Sequence, residues 1–242
     1  ATSTIRLGLG VLIAPLRAPV WIAKQVASLQ HVSGDRLLLG VGVGGDRHDA
    51  SWSAAGVPRR ERGRRTDELL RVLPDLLAGK PVALVVPGNE IALSPAVTMP
   101  PILVGGMSHA AMRRAAEYAD GWMLVPITPA EAAAAIDEIG AVAARSGRIP
   151  PSVTASVMVA IDGDPAMPDD DAVLNLLTDG DGVYGIPVEH AETTLLRGGP
   201  DVIASRIADF AAAGAERIVF TLVAGDWHRQ AELLNQARLL FK

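Results

Sequence analysis

"PPILVGGMSHAAMRRAAEYADGWMLVP", residues 100–126, decides how the rest of the chain is read. A short apolar run, Ile102-Leu103-Val104, meets Gly105-Gly106, and a helical pattern starts almost at once. That pattern ends in Ala119-Asp120-Gly121, and a second apolar run follows. Two glycines between a buried strand and a helix N-terminus leave a bare backbone where a ligand can approach. Ser108 is placed to cap the helix, so the amides from Gly106 to His109 point outward at a positive helix end, which suits a phosphate. An ordinary capped turn reads the same way, and this feature alone does not choose between them.

The same alternation extends in both directions. Upstream, "IRLGLGVLIA" (5–14) reads as a strand, 18–34 as a helix stopped by Gly34, and "RLLLGVGVGG" (36–45) as a strand. Asp46 to Val57 reads as a loop. A charged helix over 59–79 follows, in which Pro74 should kink or divide the last turns. Residues 80–99 break the rhythm, and Pro87-Gly88-Asn89 between two apolar runs predicts an inserted hairpin. Downstream, 129–147 is helical with Thr128 as N-cap and Pro129 at the first helical position. A strand over 152–162 leads into an irregular insertion, 163–200, with short helices at Asp170–Leu177 and Glu189–Leu195. A helix (200–215), a strand (216–225) and a closing helix (227–241) complete the pattern. Continuous apolar strands alternating with helices predict an α/β fold with a parallel sheet covered by helices, or a barrel. Six strand–helix units are counted, two short of the eight in a TIM (β/α)8 barrel.

Composition narrows the class. The 242 residues are 49% hydrophobic and 20% charged, with mean hydropathy +0.27, the balance of a well-buried core. No apolar run approaches the roughly 18 residues of a membrane span, and "ATSTIRLGLG" lacks the layout of a signal peptide, so a cytoplasmic location is the default expectation. The chain has no cysteine, hence neither disulfides nor thiolate metal sites. A net charge of −5 gives no general pull toward nucleic acid. The histidines show no H-E-x-x-H or H-x-x-E-H spacing, so no metal site is indicated.

The glycines carry the chemistry. In "GLG" (8–10) and "GVGVG" (40–44) they alternate, so on a strand they share one face. With Gly105-Gly106 they lie toward the C-terminal ends of their strands, where parallel α/β folds bind ligands. Missing side chains there would let a flat ligand lie against the backbone; the plainer reading is that small residues ease strand packing. Residues 40–45 also satisfy G-x-G-x-x-G formally. A dinucleotide site needs a helix opening inside that motif and an acid about 20 residues on, whereas a loop and then a basic helix follow. That reading is rejected. His48, Asp46 and Asp49 read as loop residues near the second glycine strand. Asp169-Asp170-Asp171 reads as a helix N-terminal cluster. Arg59, Arg60, Arg62, Arg64 and Arg65 read as a solvated helix face with i,i+4 pairs, from which one arginine could reach a ligand phosphate.

Taken together, "IRLGLGVLIAPLRAPVWIAKQVASLQHVSGDRLLLGVGVGG", "AAGVPRRERGRRTDELL", "PPILVGGMSHAAMRRAAEYADGW" and "YGIP" followed by "GGPDVIASRIADFAAAGAERIVF" resemble the bacterial luciferase-like monooxygenase superfamily, particularly its coenzyme F-420-dependent branch. The resemblance covers most of the chain, although 163–183 match poorly. It implies a single TIM-barrel domain over 1–242 whose first two strand–helix units are missing, and a homodimer. Gly10-Val11 matches the family's bulge behind the flavin ring, often built with a non-prolyl cis peptide. Gly42, Val43 and Gly44 would border the ring or its ribityl chain, and Gly105, Gly106, Met107 and Ser108 would hold the ribityl chain and phosphate. Some family members place a carboxylate directly after the strand-four glycines; here that slot is Gly45, with Asp46 next. The usual ring-facing acid or histidine belongs to the missing part, so no catalytic residue is assigned. The implied activity is hydride transfer between reduced coenzyme F-420 and a small organic substrate. The alternatives are an FMN-dependent monooxygenase using oxygen and a partner reductase, and a flavin-binding barrel without turnover.

Overall fold

In the computed structural model, which describes residues 2–45, 49–83, 90–179 and 185–241, the chain divides into two compact units, Ala1–Met123 with Val142–Pro151 and Leu124–Ala141 with Ser152–Lys242. In the first unit β1 (Leu7–Gly8) and β2 (Leu12–Ile13) both pair in parallel with β3 (Leu37–Gly42). On its other edge β3 pairs with β6 (Ile102–Gly105), which pairs in turn with β7 (Gly121–Pro126). Every residue of β3 is buried, as its unbroken apolar run requires of a strand covered on both faces.

Helix α1 (Pro19–Ser33) links β2 to β3. It opens with Pro19 at its first turn, buries Ile22, Ala23, Val26, Ala27 and Gln30 along one stripe, and ends at Gly34 in the left-handed conformation (φ 66°). Buried Gln30 ties the helix to its neighbours: its Nε2 donates to Thr98 O (2.9 Å) and its Oε1 accepts from Leu37 N (3.2 Å).

Three expectations need correction here. The strand over 5–14 is two short strands separated by a cis Gly10–Val11 peptide. The region expected as loop contains a helix, α2 (Asp49–Ala54), which docks because Trp52 is buried against Gly44; residues 46–48 lie outside the described part. Helix α3 (Arg62–Leu77) is not divided at Pro74. The proline sits in the last turn, three residues before the helix ends, and Gly79 (φ 71°) then turns the chain. Where a hairpin was expected, β4 (Val82–Ala83) and β5 (Glu90–Ile91) pair antiparallel; the expected turn, Pro87-Gly88-Asn89, lies outside the described residues.

In the second unit the end of β7 lies beside β8 (Ser152–Ile161), where Ser156 Oγ donates to Leu124 O at 2.6 Å. Helix α5 (Pro129–Arg145) begins with a reciprocal capping box, Glu131 N donating to Thr128 Oγ1 (3.3 Å) and Thr128 N to Glu131 Oε2 (2.8 Å). The two carboxylate hydrogen bonds from Thr128 hold the Glu131 carboxyl below its ordinary range. The irregular segment holds α6 (Asp170–Thr178) and α7 (Val188–Thr194), close to the expected helices, and a strand the sequence did not announce, β9 (Leu195–Gly198), parallel to β8. Four residues are too few for an alternating pattern. Met158, Leu177 and Ala191 form a core packed by Leu174, Ile186, Leu195 and Val223. Helix α8 (Pro200–Ala212), β10 (Arg217–Leu222), again parallel to β8, and α9 (Trp227–Leu240) complete the unit. Among the described residues no helix is long and apolar enough to cross a membrane.

Candidate functional site

The expected site residues of the first unit fall into two groups. One is organised by Val11. Its side chain lies where side chains on three glycines would be: a Cβ on Gly42 would come within 2.5 Å of Val11 Cγ2, one on Gly40 within 3.0 Å of Val11 Cγ1, and one on Gly105 within 3.1 Å of the same methyl. A Cβ on Gly40 would also collide with the Leu9 carbonyl oxygen. The glycines of β3 and β6 therefore do not leave space for a flat ligand, as the sequence reading supposed. They clear the floor on which the Gly10–Val11 bulge sits. Val11 stays half-buried and Gly10 exposed, so the bulge is what this part of the site presents. A Cβ on Gly10 would meet Met123 Cε at 3.1 Å. Gly44 (φ 74°) closes the group against Ile13 and Trp52.

The second group is the turn from β6 into α4 (His109–Tyr118). Gly106 takes φ 113°, a conformation side chains rarely adopt. Ser108 is the N-cap, its Oγ accepting from Ala111 N at 3.2 Å, and Met107 is half-buried. Beside this turn lies a cavity of about 510 Å³ lined by Val43 and Ser108 together with Arg59, Arg60, Arg62 and Arg114. The structure thus brings Val43 to Ser108, and it brings the arginines that lead into α3 to the helix N-terminus. The sequence reading took those arginines as a solvated face from which one could reach a ligand phosphate.

Two anchors were not foreseen. The "ADGW" segment pins β7 to both ends of β6: Asp120 Oδ2 accepts from Ile102 N (2.8 Å), and fully buried Trp122 donates from Nε1 to Gly106 O (2.8 Å). Polar side chains flanking a buried strand start were the available signal. The other anchor is Arg114, whose side chain is only 7% exposed. Its Nε donates to Asp67 Oδ1 (2.6 Å), and its Nη2 to Asp67 Oδ2 (3.2 Å) and Gly63 O (3.3 Å), joining α4 to α3.

Burial pushes the Asp67 carboxyl up, but the hydrogen bonds and charge of Arg114, with Arg113 adding to them, outweigh burial and hold it below the usual carboxylate range. A group whose folded pKa is depressed stabilises the fold above its unfolded pKa and loses that contribution as pH falls through the folded value. The stability difference between the wild type and Asp67→Asn is therefore expected to be full at pH 6 and to shrink toward pH 3, near and below the ordinary aspartate pKa of about 3.9. Urea unfolding at several pH values measures it; a gap that grew in acid would contradict this assignment.

Comparison with known proteins bears on the fold and the family. Among solved structures, an F-420-dependent secondary alcohol dehydrogenase in complex with an F-420–acetone adduct is similar, with a TM-score of 0.78, 16% identity, and coverage of 100% of this chain and 81% of that one. The coenzyme F-420-dependent tetrahydromethanopterin reductase of Methanopyrus kandleri gives 0.71 at 21% identity, covering 100% and 84%. EDTA monooxygenase from Chelativorans sp. BNC1 gives 0.68 at 15%, covering 93% and 71%. At such identities these likenesses establish the fold, an α/β fold of the TIM-barrel type. An uncharacterized protein of Mycobacterium tuberculosis is 40% identical over 126 residues, which is 50% of this chain. In that match the chain spans less than half of the relative's length, 43%. The sequence profile of the luciferase-like monooxygenase family matches residues 1–184, and the chain belongs to that family.

Proposed function

We propose that this chain binds coenzyme F-420 and supports hydride transfer between the reduced cofactor and a small organic substrate. The observation that carries the reading is the arginine-lined cavity beside the Gly105–Ser108 turn. Outward amides at a helix N-terminus suit one phosphate. The cavity extends beyond that turn and is lined by Arg59, Arg60 and Arg62, and by Arg114, whose charge Asp67 already meets. Its size and charge suit an anionic tail longer than a terminal monophosphate, and coenzyme F-420 carries a phosphodiester followed by carboxylates. Two of the similar solved structures are F-420-dependent by name, which points the same way.

The residues suit such a group. Gly106 permits the turn, Ser108 fixes the start of α4, and Arg59, Arg60 and Arg62 supply positive charge along the tail. Val11, raised on Gly40, Gly42 and Gly105, offers an apolar shelf for one face of a ring. When bound, the cofactor supplies the hydride chemistry, and the protein's part is to position the ring and exclude water. Gly45 in the slot where some relatives carry an acid argues against acid–base chemistry from that position.

The second reading is an FMN-dependent monooxygenase served by a partner reductase, since the chain is also similar in fold to EDTA monooxygenase. Parallel titration with coenzyme F-420 and with FMN separates them, and buried Trp52 and Trp122 beside the site provide a fluorescence signal. Micromolar binding of F-420 with weaker FMN binding is the expected result. The reverse preference would move the assignment to the monooxygenase, and failure of both ligands to bind would remove it. In this reading the chain acts as a homodimer.

A further inference from the structure

We infer that Trp122 is a positioning residue for the phosphate: its indole N–H sets the direction of the Met107 amide. The inference rests on the flavin or deazaflavin reading above and names a residue outside the cofactor's reach that decides how well its phosphate is held.

Gly106 is held by both of its backbone polar groups. Its N–H donates to Met123 O (3.2 Å), and its carbonyl accepts from Trp122 Nε1 (2.8 Å). Both partners come from the start of β7, in the register that sets Val104 against Trp122 and Gly105 against Met123. The Gly106–Met107 peptide is not among the cis bonds of the chain, so its C=O and N–H point in opposite directions. Fixing the Gly106 oxygen toward the indole therefore turns the Met107 N–H away from Trp122. In this inference the Met107 N–H faces the start of α4, where Ser108 caps the helix and beside which Arg59, Arg60 and Arg62 line a cavity.

The indole is needed because the turn itself does not choose. A glycine at φ 113° has no side chain to bias the peptide plane that follows it, and a plane flip exchanges the directions of the carbonyl and the Met107 amide. Trp122 is fully buried, so a phenylalanine there would fill most of the volume but leave the Gly106 carbonyl, itself half-buried, without its donor. Flipping the plane is the available relief, and it removes an N–H from the phosphate. Packing alone would give Trp122 no preference for a donor atom.

The test uses two ligand pairs that differ in the phosphate-bearing tail: coenzyme F-420 against its chromophore 8-hydroxy-5-deazariboflavin, and FMN against riboflavin. Affinities of the wild type and Trp122→Phe are measured by calorimetry. The wild type is expected to prefer the phosphate-bearing member of its pair. In Trp122→Phe that preference should fall about tenfold, the scale of one lost hydrogen bond to a charged group, while affinity for the phosphate-free chromophore stays within about twofold. An unchanged preference in the variant would overturn the inference and leave the cofactor reading intact. A wild type with no preference in either pair would overturn the phosphate reading itself. If Trp122→Phe loses both members together, the benzothiophene analogue of tryptophan, placed at position 122, keeps the shape and removes only the N–H. The inference then stands if that protein binds the chromophore with reduced preference for the phosphate, and falls if the preference is that of the wild type.

Discussion

Gly40→Ala is expected to cost at least about 3 kcal/mol of folding stability, while Gly8→Ala stays within about 1 kcal/mol of the wild type. Both glycines sit on strands of the same unit and look alike in sequence. A methyl on Gly40 would overlap the Leu9 carbonyl oxygen and press within 3.0 Å of both Leu9 C and Val11 Cγ1. Backbone cannot move aside as the end of a flexible side chain can, so β1 and the bulge would have to leave β3. A methyl on Gly8 meets nothing within 4 Å, and its φ is not in the left-handed region. Alanine there removes freedom from the unfolded chain and can even stabilise slightly. Urea unfolding of the two variants measures the contrast. Equal effects would mean that the close approach of the Leu9–Val11 segment to β3 does not exist in solution.

Gly42→Ala should also destabilise, by about 1–3 kcal/mol, but with a different signature. The obstacle is a side-chain atom, Val11 Cγ2, at 2.5 Å, and not backbone. Removing that methyl should relieve the clash. The double variant Gly42→Ala/Val11→Ala is expected to be more stable than the sum of the single changes predicts, with a coupling of about 1 kcal/mol or more, since the two positions are in contact. Strict additivity would show that Val11 does not rest on Gly42. The same cycle reports on function, because Val11→Ala lowers the shelf offered to a ring. Cofactor affinity should fall in Val11→Ala even where folding is unaffected.

These two cases show what a sequence can and cannot disclose. The strand–helix order was legible because long apolar runs and amphipathic stripes survive as patterns; α1, β3, α4 and β8 lie within a few residues of their expected bounds. Caps were legible where the capping side chain is local, as at Ser108 and Thr128. The glycine positions were legible too, but not their purpose. A missing side chain looks the same whether a ligand or another part of the chain fills the gap, and only the fold reveals that Val11 fills three of them. Helix α2 was hidden because a six-residue helix has too little periodicity, and its docking depends on Trp52 meeting Gly44. The Arg114–Asp67 pair joins residues 47 apart, and the Trp122–Gly106 bond depends on strand register, so neither had a local signature. The arginines before α3 were read as a solvated face with i,i+4 pairs, and Arg64 does pair with Glu68 at that spacing. That Arg59, Arg60 and Arg62 also line the cavity at Ser108 depends on the fold and had no local signature.

In the proposed reading a phosphate-bearing flavin or deazaflavin lies across this unit with its ring on Val11 and its phosphate at the start of α4. A crystal structure of the protein with whichever of coenzyme F-420 and FMN binds more tightly tests it most directly. The expected result is a ring face against the Val11 side chain and phosphate oxygens within hydrogen-bonding distance of amides in the Gly106–His109 turn. A ring seated away from Val11, or a phosphate bound at a different helix terminus, would contradict it.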